Sequence, residues 1–395
     1  MSRRPGITRA PSYPGTRYPL RKGPQMLRFR PDAWRLLLVA TLMLLVTGCV
    51  SRPTEEVLTP RVLGQPAHEV IVLAATNRKL RSKDDDPLGR RSDNLGFERY
   101  RFSVPANRPA ASIIYPTVPA DPRRQFIVTD HDDLTLSQFS AEVERTVDDD
   151  GTVGVFVHGY NYSHQEALFR TAQLGADART LPPPILFSWP SQASLTGYVA
   201  DKDEALASRT ELTRLLVLIG RTQGVKHIVL FAHSMGSLLA IEAVRQLELE
   251  KQSSTTQKLD IVLAAADIDV DLFLSQLNDI GRLPRPITLL VSKEDKALGA
   301  SSFLGRERPR VGTSDVDDAR VVAAAEDHNL RLVDITGIED NDGLGHDRYV
   351  NLAKSAGQIK RQYQPGTEAS ISPGVFVFDA VGHLLTRPSN APRLP

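Results

Sequence analysis

The feature that most constrains the fold is a strand pattern that continues without a linker into a helix pattern, in residues 228–244 (IVLFAHSMGSLLAIEAV). Residues 228–231 are all apolar, and Leu and Ala dominate the part that follows the glycine. Between them lies AHSMG (residues 232–236), with a small residue two positions before and two positions after Ser234. A sharp strand-to-helix turn brings the two backbones close together, so small residues are needed at its ends. The segment therefore predicts a buried strand, a tight turn that carries Ser234, and a helix.

The role of Ser234 follows from this context. A serine before a helix is most simply explained as a helix N-cap, and an isolated Ser-x-Gly would favour that explanation. A buried strand directly before the turn and a helix directly after it instead favour the turn that exposes a nucleophilic serine. The positive N-terminal end of the helix would also lie near a developing oxyanion. We therefore predict that Ser234 is a nucleophile.

Strand and helix patterns alternate from about residue 152 onward. The strands are apolar on both faces, as in residues 152–157 (TVGVFV), 227–231 (HIVLF) and 287–291 (ITLLV). Such strands are typical of a parallel sheet that is covered by helices on both faces. We predict an α/β fold with one domain over residues 68–395, in which residues 68–125 form an N-terminal extension.

A second motif, His158-Gly159 in FVHGYN, directly follows the strand pattern at 152–157. Alone it could be a glycine turn that closes a strand. Together with the AHSMG turn it resembles the alpha/beta-hydrolase superfamily, and in particular a poorly characterised family of bacterial lipoproteins and exported proteins described as esterase- or lipase-like. The resemblance covers roughly residues 68–385. It implies a mostly parallel central sheet with helices on both faces, and an oxyanion hole formed by the backbone N–H groups of Tyr160 and Met235.

The resemblance also implies the partners of the serine, because the chain order in this fold is serine, acid, histidine. It selects Asp295, which follows the strand pattern at 287–291, while Asp267 at the preceding strand stays an alternative. The predicted histidine is His346, in a glycine-flanked loop after the last strand pattern, rather than His328 or His383.

Three further residues are candidates for the wall of a substrate pocket: Trp189, Tyr198 and Asp201. A core tryptophan and a carboxylate at a helix N-terminus explain Trp189 and Asp201 at least as well.

The N-terminus has the pattern of a targeting segment. Residues 36–46 (LLLVATLMLLV) are uncharged, follow several arginines, and are short of the roughly 20 residues that span a bilayer. Val-Thr-Gly-Cys at 46–49 resembles the lipobox of bacterial lipoproteins, which implies lipidation of Cys49, the only cysteine of the chain. We expect a signal peptide region over residues 1–48, with translation starting at Met26. An uncleaved membrane anchor is the alternative.

Residues 49–67 are polar and contain prolines, and we expect them to form a lipidated tether. Because Val50 is not the aspartate that marks inner-membrane retention in some bacterial lipoproteins, we expect the protein in the cell envelope, at the outer membrane and facing the periplasm.

Composition excludes several other classes of protein. A single cysteine excludes an intramolecular disulfide and a cysteine-rich zinc site, and the absence of His-Glu-x-x-His argues against a metal hydrolase. A net charge of +1 gives no indication of nucleic-acid binding. We predict a serine hydrolase of small-molecule or lipid esters, without cofactor or metal. The alternatives are a thioesterase, amidase or acyltransferase with the same residues, and a non-catalytic binding or scaffold protein of the cell envelope.

Overall fold

A computed structural model describes residues 52–63, 68–79, 91–178, 184–352, 374–378 and 384–386. The predicted signal region, Cys49 and His383 lie outside these residues. None of the described helices has the length and apolar character that crossing a bilayer requires.

The described strands form one eleven-stranded sheet with the order β11-β10-β9-β8-β7-β6-β4-β5-β1-β2-β3. Every neighbouring pair from β10 to β1 is parallel, while β2, β3 and β11 are antiparallel to their neighbours at the two edges. The strands are β1 (Glu69–Arg78), β2 (Arg91–Ser103), β3 (Ile127–Leu134), β4 (Thr152–Val157), β5 (Ile185–Ser188), β6 (His227–His233), β7 (Leu259–Ala264), β8 (Ile287–Val291), β9 (Leu330–Asp334), β10 (Gly374–Phe378) and β11 (Leu384–Thr386).

Helices connect the parallel strands. They are α1 (Leu136–Thr146), α2 (His164–Ala178), α3 (Tyr198–Ala207), α4 (Arg209–Arg221), α5 (Met235–Leu249), α6 (Ser253–Thr256), α7 (Val270–Ile280), α8 (Lys296–Leu304), α9 (Ala319–Asp327) and α10 (Tyr349–Leu352). Short 3-10 turns occupy Glu55–Leu58 and Val311–Thr313.

The core consists of two apolar clusters, one on each face of the sheet. Because side chains alternate along a strand, Val155 and Val157 of β4 pack with α4 and α5, whereas Phe156 packs with α2 on the other face. This confirms the predicted mostly parallel sheet with helices on both faces.

The predicted N-terminal extension is part of this sheet. β1 pairs with β5 in parallel and β2 continues the sheet outward, so the extension adds two strands, and β3, which follows the extension, pairs with β2 at the edge. The apolar pattern of residues 111–115 (ASIIY) predicts a further short strand, which the structure does not form.

The sequence pattern of residues 201–222 predicts one long helix, but the structure divides this segment at Ser208 into α3 and α4. The Ser208 hydroxyl donates to the backbone oxygen of Glu204 at 2.8 Å and accepts from Asn77 Nδ2 at 2.9 Å. A hydroxyl that bonds to the carbonyl four residues back tends to bend a helix, which explains the break.

The described part of the predicted tether lies on the domain rather than in solvent. Val57 is 7% exposed and packs in one of the core clusters. Gln165 Nε2 donates to the backbone oxygen of Pro53 at 2.7 Å, and the Arg61 N–H donates to the oxygen of Val128 at 2.9 Å. The segment folds back because Val57 finds apolar partners there.

Candidate active site

Ser234 lies between β6 and α5 in a strained backbone conformation, with φ 54° and ψ −124°. A positive φ is uncommon for a residue with a side chain. The turn is fastened to the end of β7, since the Ser234 N–H donates to the oxygen of Ala264 at 2.9 Å and the Asp267 N–H donates to the oxygen of Ser234 at 3.2 Å. The predicted strand, turn and helix are therefore all present, and Ser234 is where that turn is sharpest.

The close approach of the two motifs explains why they contain glycine. A Cβ added at Gly236 would lie 2.3 Å from the backbone oxygen of His158. A Cβ added at Gly159 would lie 2.9 Å from the Cβ of Ser234. The His-Gly loop and the serine turn are thus in direct contact, at the carboxyl ends of the neighbouring strands β4 and β6.

Asp295 and His346 form a hydrogen bond of 2.7 Å between Oδ2 and Nδ1. Asp295 follows β8 and caps α8, where its Oδ1 accepts from the Leu298 N–H at 2.9 Å. Burial lowers the pKa of His346, but the hydrogen bond and the charge of Asp295 outweigh it, so its pKa lies above the ordinary value. With Nδ1 donating to the carboxylate, Nε2 of the neutral ring is the atom that can accept a proton.

His346 lies beside the serine turn. Its ring centroid is 4.7 Å from that of His233, the residue before Ser234. His233 Nε2 lies 3.3 Å from the backbone oxygen of His346, and burial holds the pKa of His233 well below its ordinary value, so the neutral ring can donate there. Among the described residues, no hydrogen bond joins the Ser234 hydroxyl to His346; such bonds are often long in structures without a substrate.

The alternative acid, Asp267, is engaged elsewhere. Its Oδ2 accepts from the Tyr198 hydroxyl at 2.8 Å, and its Oδ1 lies 3.3 Å from Nε of the buried Arg310. Ser301 also donates to Oδ1. The carboxylate is therefore part of a buried network, and the geometry favours Asp295 as the partner of His346. Tyr198, a candidate for the pocket wall, holds this network through its hydroxyl.

Of the two expected oxyanion donors, one belongs to the serine turn and the other to the adjoining His-Gly loop. Met235 is the first residue of α5, so its N–H has no partner within the helix. Tyr160 follows Gly159, which contacts Ser234. The Tyr160 ring packs edge-on against Tyr198 with centroids 5.4 Å apart, and its hydroxyl donates to the backbone oxygen of Leu195.

Asp201 holds the loop that carries Tyr160. Its carboxylate is fully buried and accepts from the Asn161 N–H at 3.1 Å, the Ser191 hydroxyl at 2.6 Å and the Gln192 N–H at 2.7 Å. Asn161 has a φ of 62°, which a fixed partner for its N–H helps to maintain. Asp201 therefore joins the loop after β4 to the loop after β5.

His158 and Trp189 are structural residues. The His158 ring is fully buried and stacks on the Trp189 ring with centroids 4.9 Å apart. Trp189 Nε1 donates to the His158 oxygen at 2.8 Å. Burial and the charge of Arg78 lower the pKa of His158 to about 3, so the ring is neutral. Trp189 belongs to the core and does not line a pocket.

Comparison with models of known protein families shows which family the chain belongs to. Residues 136–362, more than half of the chain, match the model of the family described as alpha/beta hydrolase of unknown function (DUF900). The protein belongs to this alpha/beta hydrolase family, as the sequence resemblance predicted at the level of the superfamily. The matched span contains Ser234, Asp295 and His346. No curated protein shows significant similarity to the chain.

Two functional candidates were not predicted from the sequence. His233 occupies the variable position before the serine, where any residue type is compatible with the motif. Asp201 joins the loops after β4 and β5 through hydrogen-bond donors that come from both of these loops. In neither case does the spacing of the residues give a signal.

Proposed function

We propose that the protein is a serine hydrolase that cleaves carboxylic esters. The observation that carries the proposal is the 2.7 Å hydrogen bond between Asp295 and His346, next to a serine on a strained strand-to-helix turn. A base that is oriented by a buried carboxylate is what a serine needs to become nucleophilic.

In the proposed mechanism, Ser234 Oγ attacks the ester carbonyl carbon while His346 Nε2 takes the hydroxyl proton. The negative charge on the carbonyl oxygen is stabilised by the N–H groups of Tyr160 and Met235, which are fixed before the reaction begins. The alcohol leaves with the proton from His346, and an acyl-enzyme on Ser234 remains. Water, deprotonated by His346, then attacks the acyl carbon; the bond to Ser234 Oγ breaks, the acid is released, and His346 returns the proton to Oγ. Asp295 keeps the His346 ring in one tautomer throughout.

The surface around this site supports a substrate with an apolar acyl or alcohol group. Leu195 and Val199 are exposed beside Tyr160 and Tyr198, Phe303 is exposed two residues after Ser301, and Leu344 is exposed two residues before His346. These apolar side chains come from three segments of the chain: the start of α3 with the residues before it, the end of α8, and the loop that carries His346. Exposed apolar side chains on segments that also carry site residues are what binding of an apolar ligand would use.

One observation favours a second candidate function. In the described part of the chain, Ser234 makes no hydrogen bond to His346, which would fit a non-catalytic binding module of the cell envelope built on a hydrolase fold. Thioesterase, amidase and acyltransferase activities would use the same residues as an esterase. Assays with a panel of ester, thioester and amide substrates would distinguish these activities.

The deciding experiment is labelling of the purified protein with a fluorophosphonate probe, which reacts with activated serines. We expect the wild type to be labelled and Ser234→Ala and His346→Ala to be unlabelled. Ser253→Ala and His328→Ala, which change residues away from the site, should label like the wild type. A folded wild type that is not labelled would support the binding module instead.

We also propose that Cys49 carries a lipid that holds the protein at the outer membrane, facing the periplasm. The support is the basic, apolar and Val-Thr-Gly-Cys pattern of the N-terminus. Cys49→Ala should move the protein from the membrane fraction to the soluble fraction or leave it unprocessed. Unchanged processing together with unchanged association with the outer membrane would contradict the proposal.

A further inference from the structure

A second cluster of titratable side chains lies on β2 and β3, at the edge of the sheet. Glu98 pairs with Asp133, and Tyr100 pairs with His131, across the antiparallel strands. Since residues two apart on a strand share a face, all four side chains point to the same side. One ligand atom from each of Glu98, His131 and Asp133 lies within 4.8 Å of the other two.

The distances in this cluster match those between ligands of one metal ion. His131 Nε2 lies 3.3 Å from Glu98 Oε1 and 3.8 Å from Asp133 Oδ1. Nitrogen and oxygen ligands at about 2.0–2.2 Å from a tetrahedral ion are roughly 3.3–3.5 Å apart. Both separations that involve His131 are close to this spacing, and the ligand atoms of Glu98 and Asp133 lie within 4.8 Å of each other.

Two of the polar atoms in the cluster are buried without a hydrogen bond. Glu98 is only 4% exposed, and neither its Oε2 nor Nε2 of His131 has a hydrogen-bond partner. His164 Nε2 lies 3.1 Å from Glu98 Oε2, so both imidazoles approach the carboxylate without the alignment that a hydrogen bond requires. Buried polar groups are normally satisfied, and an exception indicates an ion or a water at the site.

We propose that Glu98, His131 and Asp133 bind a divalent transition-metal ion, with Zn²⁺ as the best match. A mixed set of imidazole and carboxylate ligands suits zinc and its neighbours, whereas calcium and magnesium take oxygen ligands. Three protein ligands leave a fourth position for water. The Asp133 side chain is 76% exposed, which gives the ion a path from solvent.

The surroundings of the cluster orient the ligands. The Tyr100 hydroxyl donates to Glu98 Oε1 at 2.8 Å, and the Tyr100 ring stacks on His131 with centroids 4.2 Å apart. Partners of this kind fix the ligands of metal sites. His164 is the first residue of α2, which begins directly after the loop that carries Tyr160. The ion would therefore fasten β2 to β3 and, through Glu98, stabilise the start of α2.

The test is equilibrium dialysis of the full-length chain, stripped with a chelator, against Zn²⁺, followed by measurement of the metal content. We expect one ion per chain. Asp133→Asn changes an exposed side chain and should leave the fold intact, yet weaken Zn²⁺ binding at least tenfold, as should His131→Ala. His68→Ala and His346→Ala are the matched controls and should bind like the wild type, the latter because the site is independent of the proposed catalytic residues.

A second readout uses Co²⁺ in place of Zn²⁺. A tetrahedral Co²⁺ ion gives visible absorption bands, which we expect in the wild type and in His346→Ala but not in His131→Ala. Failure of the wild type to bind Zn²⁺ stoichiometrically would overturn the proposal, and so would unchanged binding in Asp133→Asn and His131→Ala. Neither result would bear on the labelling of Ser234.

Discussion

His346 Nδ1 lies 2.7 Å from Asp295 Oδ2, although the two residues are 51 positions apart in the chain. Asp295 is held in place as the N-cap of α8, and the His346 loop is held from the other side by His233. A histidine that is fixed from both sides keeps Nε2 in one direction. This arrangement gives four tests of the proposed mechanism and of the fold around it.

The raised pKa of His346 predicts the pH dependence of activity. His346 must be neutral to act as a base, so kcat/KM should fall as the pH drops through the pKa of His346. The midpoint of this acidic fall in kcat/KM should lie above the ordinary histidine pKa of about 6.5. Asp295→Asn removes the charge that raises this pKa. The variant should lose activity by up to about 10⁴-fold and shift its acidic limb to lower pH. If kcat/KM of the wild type and of Asp295→Asn fell at the same acidic pH, the assignment of Asp295 would be contradicted.

His233 should act as a positioning residue. His233→Phe keeps an aromatic ring against Tyr349 but removes the Nε2 contact with the backbone of His346. A small displacement of a reacting group can reduce the rate by as much as roughly 100-fold, so we expect a lower kcat with little change in KM. His328→Phe, away from the site, should behave like the wild type. A change in KM alone would indicate a role in binding substrate rather than in positioning.

Asp201→Asn tests whether the hydrogen bonds of Asp201 hold the loop after β4 against the loop after β5. An amide cannot accept all three hydrogen bonds of the carboxylate, and each buried donor that is left without a partner costs about 1–3 kcal/mol. The free energy of unfolding, measured in urea, should fall by about that amount, and kcat should fall as the Tyr160 loop loosens. Asp203→Asn provides the control, because Asp203 is exposed on the same helix. An equal free energy of unfolding for the two variants would show that the hydrogen bonds of Asp201 do not stabilise the two loops.

Gly236 and Gly299 form a matched pair of helical glycines. Gly236→Ala would bring Cβ to 2.3 Å from a backbone oxygen, so the turn cannot form without moving the His158 loop. We expect loss of probe labelling and a large fall in stability. No atom lies within 4 Å of a Cβ at Gly299, so Gly299→Ala should raise stability by about 0.5–1 kcal/mol. Similar thermal unfolding curves for the two variants would show that the close approach at Gly236 is not required.

The positions of the predicted site residues could be read from the sequence where they depend only on the order of elements along the chain. The strand, turn and helix around Ser234 are local, and Asp295 and His346 each follow a strand in the order typical of the fold, so their positions could be predicted. Asp201 could not be assigned from the sequence, since its three donors come from two loops that meet only after folding. The break at Ser208 was likewise not predicted, and one of the two partners of the Ser208 hydroxyl is Asn77, which is 131 residues away.

The cluster on β2 and β3 could not be predicted either. The sequence gives no metal-binding spacing and led us to expect no metal. Glu98 and Asp133 become neighbours only through the antiparallel register of two strands joined by a long connection. The sequence pattern predicts only a short strand over residues 100–104, so it does not place Glu98 on a strand, whereas β2 begins at Arg91 in the structure.

The backbone of Ser234 has a further consequence. Residues with a side chain at positive φ cost on the order of 1–3 kcal/mol, and the bonds to Ala264 and Asp267 compensate for this strain. A chain selected only for thermal tolerance would replace this serine with glycine, which adopts the same angles without strain. The turn thus represents a trade-off in which part of the protein's stability is given up to present one hydroxyl group.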